Sequence, residues 1–410
     1  YIFSGSAVAD VNNTSGFQQG KEPPLVAMFT YHNMKYEKAG RPDRESQGIA
    51  FSLDRGRTWT KYNHNPVIKN KGDINFRDPN VFWYEPSKKW IATIAVGDHL
   101  EIYAAADLKS WKLLSEFGRT EGSHGGVWEC PNLFPIQTAQ GEKWVLLQNM
   151  DRGAVSGGSG TQYFIGSFDG VTFKNDNPPD TILWLDYGAD NYAGVTWANA
   201  PDQRRIFIGW MSNWNDYAMK VPTEAWRSAM TVPRELTLRE TPGGFRLFQQ
   251  PVAELEKLRK DKMVLEKQII RDSLKVTMSS ATEDIELTFN VASSINDNFG
   301  FLLRNKKGEY VKIGYDAGRR EIFVDRQHSG DSSFSSLFAA RHAAPYDISN
   351  KLTLRALLDV ASVELFADEG RLAITDIFFP HEDFTELDVY SENGTVELES
   401  GMIYGMNSIW

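Results

Sequence analysis

Cysteine is nearly absent from this 410-residue chain; Cys130 stands alone. A lone thiol excludes an internal disulfide, and with so few histidines it excludes a thiolate metal cage. The seven histidines (His32, His64, His99, His124, His328, His342, His381) are scattered, with no close pair at metal-ligand spacing, so no metal or organic cofactor is expected. Basic charge is in deficit: the net charge is −10 and the pI about 5.3. That disfavours nucleic acid and anionic lipid as partners and suits a neutral ligand. No apolar run approaches the roughly 18 residues of a membrane span. Residues 153–160 are glycine-rich but lack the Lys-Ser/Thr of a phosphate loop. No signal peptide is visible, and the first residue is Tyr1 rather than Met, which reads as upstream sequence removed.

What is present is ordinary for a globular protein: 41% hydrophobic and 24% charged residues, in a length that suggests about two or three domains. Eleven of the twelve tryptophans lie between Trp59 and Trp226; the last is Trp410. The texture changes at residues 250–267, where Val252-Ala253-Glu254-Leu255-Glu256-Lys257-Leu258-Arg259-Lys260 has apolar residues at helical spacing. This places a short linker helix over 251–262, between a first domain at 1–250 and a second at 263–410. The first domain reads as short strands. Val81–Tyr84 and Trp90–Ile94 flank a hairpin signal, and 144–148 and 206–210 look like buried strands. A loose repeat of strand, Asp-centred turn and aromatic recurs at Asp54, Asp107 and Asp169, spaced 53 and 62 residues (54 to 107, 107 to 169). Asp turns are common in any β protein. A period of this size with about four strands per unit predicts propeller blades. The second domain alternates apolar and polar residues, as in Ile285-Glu286-Leu287-Thr288-Phe289 and Ser362-Val363-Glu364-Leu365-Phe366, which predicts an antiparallel β-sandwich. Asn393-Gly394 reads as a hairpin turn within it.

Two stretches set a carboxylate among bulky apolar residues: Asn75-Phe76-Arg77-Asp78-Pro79-Asn80 and Trp128-Glu129-Cys130-Pro131-Asn132-Leu133-Phe134. Two distant carboxylates are the minimum equipment of a glycoside hydrolase. Pro79 is expected to keep Asp78 extended, and the Arg77 guanidinium to keep it ionised. The alternative for Asp78 is a surface turn. The apolar setting of Glu129 should raise its pKa by desolvation, as a general acid requires. The alternative is an exposed strand residue beside a packed Trp. Asp190 lies in an acidic-aromatic loop. Trp210, Ser212 and Trp214 alternate, so a strand would put them on one face, where indoles could stack on sugar or simply fill a core.

These motifs converge on a resemblance over the whole chain to glycoside hydrolase family 32, the invertases, inulinases and levanases. Phe3-Ser4-Gly5-Ser6-Ala7-Val8 with Asn12-Asn13-Thr14-Ser15-Gly16-Phe17 resembles its early sucrose-pocket segment. Phe76-Arg77-Asp78-Pro79 resembles its Arg-Asp-Pro motif, and Trp128-Glu129-Cys130-Pro131 its Glu-Cys motif. Asp190-Asn191-Tyr192-Ala193, Gly209-Trp210-Met211-Ser212-Asn213-Trp214, and Val363-Glu364-Leu365-Phe366 through Glu397-Leu398-Glu399-Ser400 also fit. The resemblance implies a five-bladed β-propeller plus a C-terminal β-sandwich, and retaining hydrolysis of terminal fructosyl linkages in sucrose or fructans. It makes Glu129 the acid/base and Asp78 the transition-state stabiliser. Phe3, Ser4, Arg77, Asp190, Trp210 and Trp214 would line the fructose pocket, with Cys130 tuning the acid.

One departure is large. The family's nucleophile lies in a Trp-Met-Asn-Asp-Pro-Asn-Gly type motif ahead of the Phe-Ser-Gly-Ser segment, and no such motif occurs here. Asp10, in Val8-Ala9-Asp10-Val11-Asn12, matches a different position. The first blade is therefore expected to be wholly or partly missing from this chain, with the nucleophile upstream of Tyr1. The alternatives are a fructan- or sucrose-binding propeller without catalysis, and a different five-bladed glycosidase or a sialidase, for which no arginine triad with a tyrosine nucleophile is evident. Residues 34–45 form a candidate loop for choosing among substrates. The expected partner is sucrose or fructan, with no nucleic acid and no membrane span, in a monomer or homodimer. The reading places the protein in a secreted or periplasmic bacterial setting rather than the cytoplasm.

Overall fold

The computed structural model describes residues 1–291 and 297–409; Trp410 lies outside them. The chain divides into two compact units, residues 1–153 with 161–183 and residues 154–160 with 184–410.

The first unit carries three antiparallel blade sheets. Sheet I contains Ile2–Ala9, Leu25–His32, Glu45–Ser52 and Thr60–Lys61; sheet II contains Phe76–Tyr84, Lys89–Val96, His99–Ala105 and Lys112–Phe117. Sheet III contains Trp128–Thr138, Gly141–Met150, Gly160–Phe168 and Phe173–Asn175. In each, the strands follow one another in chain order, the meander of a propeller blade. The repeated aspartates occupy one position: Asp54, Asp107 and Asp169 each sit between the third and fourth strand. Their carboxylates accept the N–H of Thr58 (2.9 Å), Ser110 (2.7 Å) and Thr172 (2.7 Å). This is the side-chain mimicry of a turn that makes Asp useful there. The 85–89 hairpin forms as expected, with Lys88 left-handed at φ +53°. Val26, Ile49, Phe76, Ile94 and Val96 are buried in this unit's core. Each fully buried side chain of this kind contributes about 1.5–3 kcal/mol.

The second unit carries sheet IV, of Tyr192–Thr196, Ile206–Met211, Arg234–Thr241 and Gly244–Pro251, and two six-membered sheet paths of a β-sandwich. One runs Arg259–Leu265, Val396–Met406, Glu283–Asn290, Lys351–Asp359, Ser362–Ala367, Leu372–Ile377. The other runs Ser273–Thr277, Glu386–Ser391, Phe299–Arg304, Tyr310–Asp316, Glu321–His328, Arg341–Pro345. Ile285, Leu287 and Phe289 point inward, as their alternation requires.

Two expectations change here. The linker is a 3₁₀ helix only over Ala253–Leu258, and Arg259 already begins a sandwich strand. Sheet IV shares the second compact unit with the sandwich. Fully buried Arg234 shows why: it donates to Asp186 at 2.9 Å and to Glu364 at 2.6 Å. Lone partners so distant in sequence leave no mark on composition. Asn393-Gly394 is not a hairpin turn, because the strands on either side belong to different sheets. Among the described residues, no helix is long and apolar enough to cross a membrane.

Candidate active site

The first strand of every blade sheet is interrupted by extra residues at a motif. In sheet II, Arg77 pairs with Ala95 and Asn80 with Thr93, so Asp78 and Pro79 together face one residue. In sheet III, Glu129 pairs with Asn149 and Asn132 with Leu147, leaving Cys130 and Pro131 opposite one residue. Sheet I gains Ser4 between Phe3 and Gly5, and sheet IV gains Ala193-Gly194 between Tyr192 and Val195. These are β-bulges, which re-aim side chains out of the strand's alternation. Proline suits them because an unpaired residue has no use for its missing N–H. Gly5 is required beside the first: a Cβ there would lie 2.0 Å from the Met28 carbonyl oxygen.

Pro79 does not hold Asp78 extended. Asp78 is left-handed at φ +62°, and Cys130, also before a proline, is at +46°. Each costs roughly 1–2 kcal/mol in a non-glycine residue. Hydrogen bonds fix the strained conformers. The Asp78 N–H donates to Thr30 Oγ1 at 3.0 Å, and Thr30 donates to Gln47 Oε1 at 2.9 Å. The Cys130 N–H donates to Asp78 Oδ2 at 3.0 Å, and its thiol lies 3.6 Å from the same oxygen. Asp78 Oδ1 accepts no hydrogen bond from the described residues.

Arg77 does not bond to Asp78. It donates to Glu129 Oε1 through Nη2 (2.8 Å) and Nε (3.2 Å), to Asn75 Oδ1 at 2.7 Å, and to Glu45 Oε1 at 3.4 Å. Burial pushes the Asp78 carboxyl above its ordinary range, while the charge of Arg77 pulls it down as expected of a nearby guanidinium. Glu129 is raised to about 7, first by burial and further by the charges of Asp78 and Asp151, against the pull of Arg77. A carboxyl still partly protonated near neutrality can donate a proton to a leaving oxygen. Burial, then the charges of Asp78 and Glu129, raise the Cys130 thiol, so it is a neutral neighbour.

Several participants went unnamed at the sequence level. Glu45 is buried, pairs with Arg77, and lies 3.3 Å from His32 Nδ1; its Oε2 has no partner among the described residues. Phe3 stacks on His32 at 4.1 Å, while Ser4 is exposed at the bulge. Gln148 Nε2 donates to the Glu129 carbonyl at 2.9 Å, and Asn149 Nδ2 to the Cys130 carbonyl at 3.1 Å. A signal existed for the core of this set. Phe76-Arg77-Asp78-Pro79-Asn80-Val81-Phe82 and Trp128-Glu129-Cys130-Pro131-Asn132-Leu133-Phe134 are two copies of one pattern. Equivalent residues touch: Arg77 with Glu129, Asp78 with Cys130, and Asn80 with Asn132 (3.2 Å), each 52 positions apart. Asp10 organises a turn instead, its buried oxygens accepting from Thr14 and Ser15 at 2.7–3.0 Å.

The other expected pocket residues lie in the second unit. Asp190 is wholly buried and its oxygens are taken, by Tyr217 Oη (2.7 Å), Arg326 Nη1 (2.6 Å) and the Ile377 N–H (3.0 Å). It is a structural ion pair rather than a pocket wall. The strand ends at Met211, so Trp210, Ser212 and Trp214 do not share a strand face: Ser212 is buried and Trp214 is 48% exposed. The two indoles meet edge-to-face at 5.6 Å.

Residues 1–251 match the glycosyl hydrolases family 32 N-terminal domain, and residues 254–405 the family 32 C-terminal domain. The chain belongs to glycoside hydrolase family 32. It is 45% identical to a levanase of Bacillus subtilis (strain 168), covering all of this chain and 61% of that protein. It is 38% identical to an extracellular exo-inulinase of Aspergillus awamori, covering all of this chain and 81% of the relative. The chain thus spans less than two thirds of the levanase's length. The crystal structure of the A. awamori exo-inulinase superposes with a TM-score of 0.89 at 36% identity, over 100% of this chain and 84% of that one. A Schwanniomyces occidentalis fructofuranosidase variant complexed with fructosylnystose gives 0.87 at 32% identity, over 99% and 83%. The family membership carries the five-bladed propeller and β-sandwich architecture. Four blade sheets are formed by the described residues.

Proposed function

We propose that this family 32 chain serves as a secreted β-fructosidase, releasing terminal fructose from sucrose or fructans by a retaining route. Glu129 is the acid/base and Asp78 the transition-state stabiliser. The observation that carries this is the Arg77–Glu129–Asp78–Cys130 cluster on two matched bulges, with Glu129 raised to about 7. Protonated Glu129 gives its proton to the glycosidic oxygen as the bond to the fructosyl carbon breaks. Asp78, through Oδ1, holds fructose hydroxyls while positive charge develops. When water later attacks the fructosyl carbon, Glu129 takes the water's proton and is restored. A retaining route also needs a nucleophilic carboxylate, and none of the described residues is assigned that role. Phe3, Ser4 and Arg77 are proposed to shape the fructose pocket.

The test is sugar release from sucrose, inulin, levan and a sialoside by the native protein. Fructose from the first three and nothing from the fourth is expected. Tight fructan binding without release would favour a carbohydrate-binding propeller instead.

A further inference from the structure

Gly97 bridges the two bulged motifs through its backbone. Its N–H donates to the Asn75 carbonyl at 3.3 Å, and its carbonyl accepts from the Trp128 N–H at 2.6 Å. Asn75 lies two residues before Arg77, and Trp128 directly precedes Glu129. The turn between the second and third strands of sheet II, Gly97-Asp98, therefore ties the start of the Arg77 strand to the start of the Glu129 strand. His99 and His124 are scattered histidines in the sequence, and the fold brings both to Asp98. His124 Nδ1 lies 3.3 Å from Asp98 Oδ2, and Nδ1 of buried His99 lies 3.6 Å from Asp98 Oδ1.

The Trp128 side chain is where this turn takes hold. It is fully buried, its Nε1 donates to the Ser123 carbonyl at 2.9 Å, and its benzo edge lies against Gly118, where a Cβ would sit 2.3 Å from Cζ3. The His124 ring stacks on the indole, with centroids 5.6 Å apart and planes 19° from parallel. Asp98 thus joins the loop before Trp128 to the turn that the Trp128 N–H reaches. The side chains of His124 and Asp98 are 30% and 60% exposed, so neither is needed to fill the core. We propose that His124 and Asp98 are positioning residues for the acid: through the Trp128 indole they fix where the Glu129 backbone stands relative to Arg77. From that backbone the Glu129 carboxyl reaches Arg77 Nη2 at 2.8 Å. Misplacing a reacting group by about 1 Å can cost roughly 10²-fold in rate. The proposal rests on the fructosidase reading above and adds to it the residues that hold its acid in place.

The test measures kcat and KM on sucrose, and the pH dependence of kcat/KM, for the native protein, His124→Ala, His124→Phe and Asp98→Ala. Both alanine variants are expected to lower kcat by about 10-fold while KM stays within about 2-fold. His124→Phe keeps a ring on the indole and should restore most of the loss. A loosened Glu129 gains water, so the alkaline limb at about 7 should move to lower pH in both alanine variants. Glu129 also faces Arg77, Asp78 and Asp151, all unchanged in these variants. A direct charge effect would instead move the limb in opposite directions, since one variant removes an anion and the other a group that can carry positive charge. Opposite shifts, equal losses in His124→Phe and His124→Ala, or an unchanged kcat would overturn the proposal. If the native protein releases no sugar, the fructosidase reading fails separately, and a carboxyl NMR titration of labelled glutamates decides, with Glu129→Gln identifying the signal. A lower Glu129 midpoint in both alanine variants supports the positioning role; an unmoved or raised midpoint rejects it.

Discussion

Sheets II and III open on the same backbone device with different side chains. Both strands bulge at a residue before proline, both put that residue at positive φ, and both follow with Asn. Sheet II places Arg77 and Asp78 in the device; sheet III places Glu129 and Cys130. The chemistry comes from the mismatch. Had both copies carried Arg, two guanidinium groups would repel; with Arg facing Glu, the cation holds the acid in place without fully cancelling its desolvation. Had both carried Asp, two carboxylates would compete for one proton. Cys130 offers Asp78 a backbone N–H and a neutral thiol instead.

Removing the acid breaks the comparison most severely. Glu129→Gln should lower kcat on sucrose by at least about 10²-fold, since proton donation to the leaving oxygen is lost. Unchanged turnover would strip Glu129 of the acid role. Asp78→Asn in the other copy should cost a comparable factor in kcat/KM, but with a larger share in fructose affinity, measurable by product inhibition. Identical kcat and KM effects for both variants would mean the copies are not divided as described.

The next effect is smaller and concerns the pH profile. Glu129 must be protonated to act, so kcat/KM should fall as pH rises through about 7. Glu45→Gln removes a buried anion that shares Arg77, leaving the cation freer to favour ionised Glu129. The alkaline limb should therefore move to lower pH; a loss of rate with the limb unmoved would make Glu45 merely structural. The smallest effect is expected at Cys130→Ala. It deletes the thiol but keeps the N–H that bonds Asp78, so a loss under about 10-fold is expected, the scale of one weak hydrogen bond. A loss matching Asp78→Asn would show that the thiol, not the backbone, holds Asp78.

The sequence showed the strands, the Asp turns and both carboxylates, because each is written in local spacing or in a short motif. It misread the backbone of Asp78. A rule about residues before proline applies to regular chain, and the bulge overrides it with bonds to Thr30 and Cys130. Arg77 acts on Asp78 by its charge as expected, but the re-aimed strand hands its hydrogen bonds to Glu129. Asp190 was invisible as a buried ion because its partner, Arg326, lies 136 residues away. Glu45 carried no motif at all, and only packing against Arg77 and His32 gives it meaning.

By itself, then, the sequence determined a chain of blade-like strands followed by a sandwich, and pointed to Asp78 and Glu129 as candidate chemical groups, since periodicity and residue type are local properties. Which partner each charge takes and how far each carboxyl is lifted from its ordinary acidity were decided by tertiary structure. Those depend on desolvation and on distances between groups far apart along the chain, and a linear order of residues does not contain them.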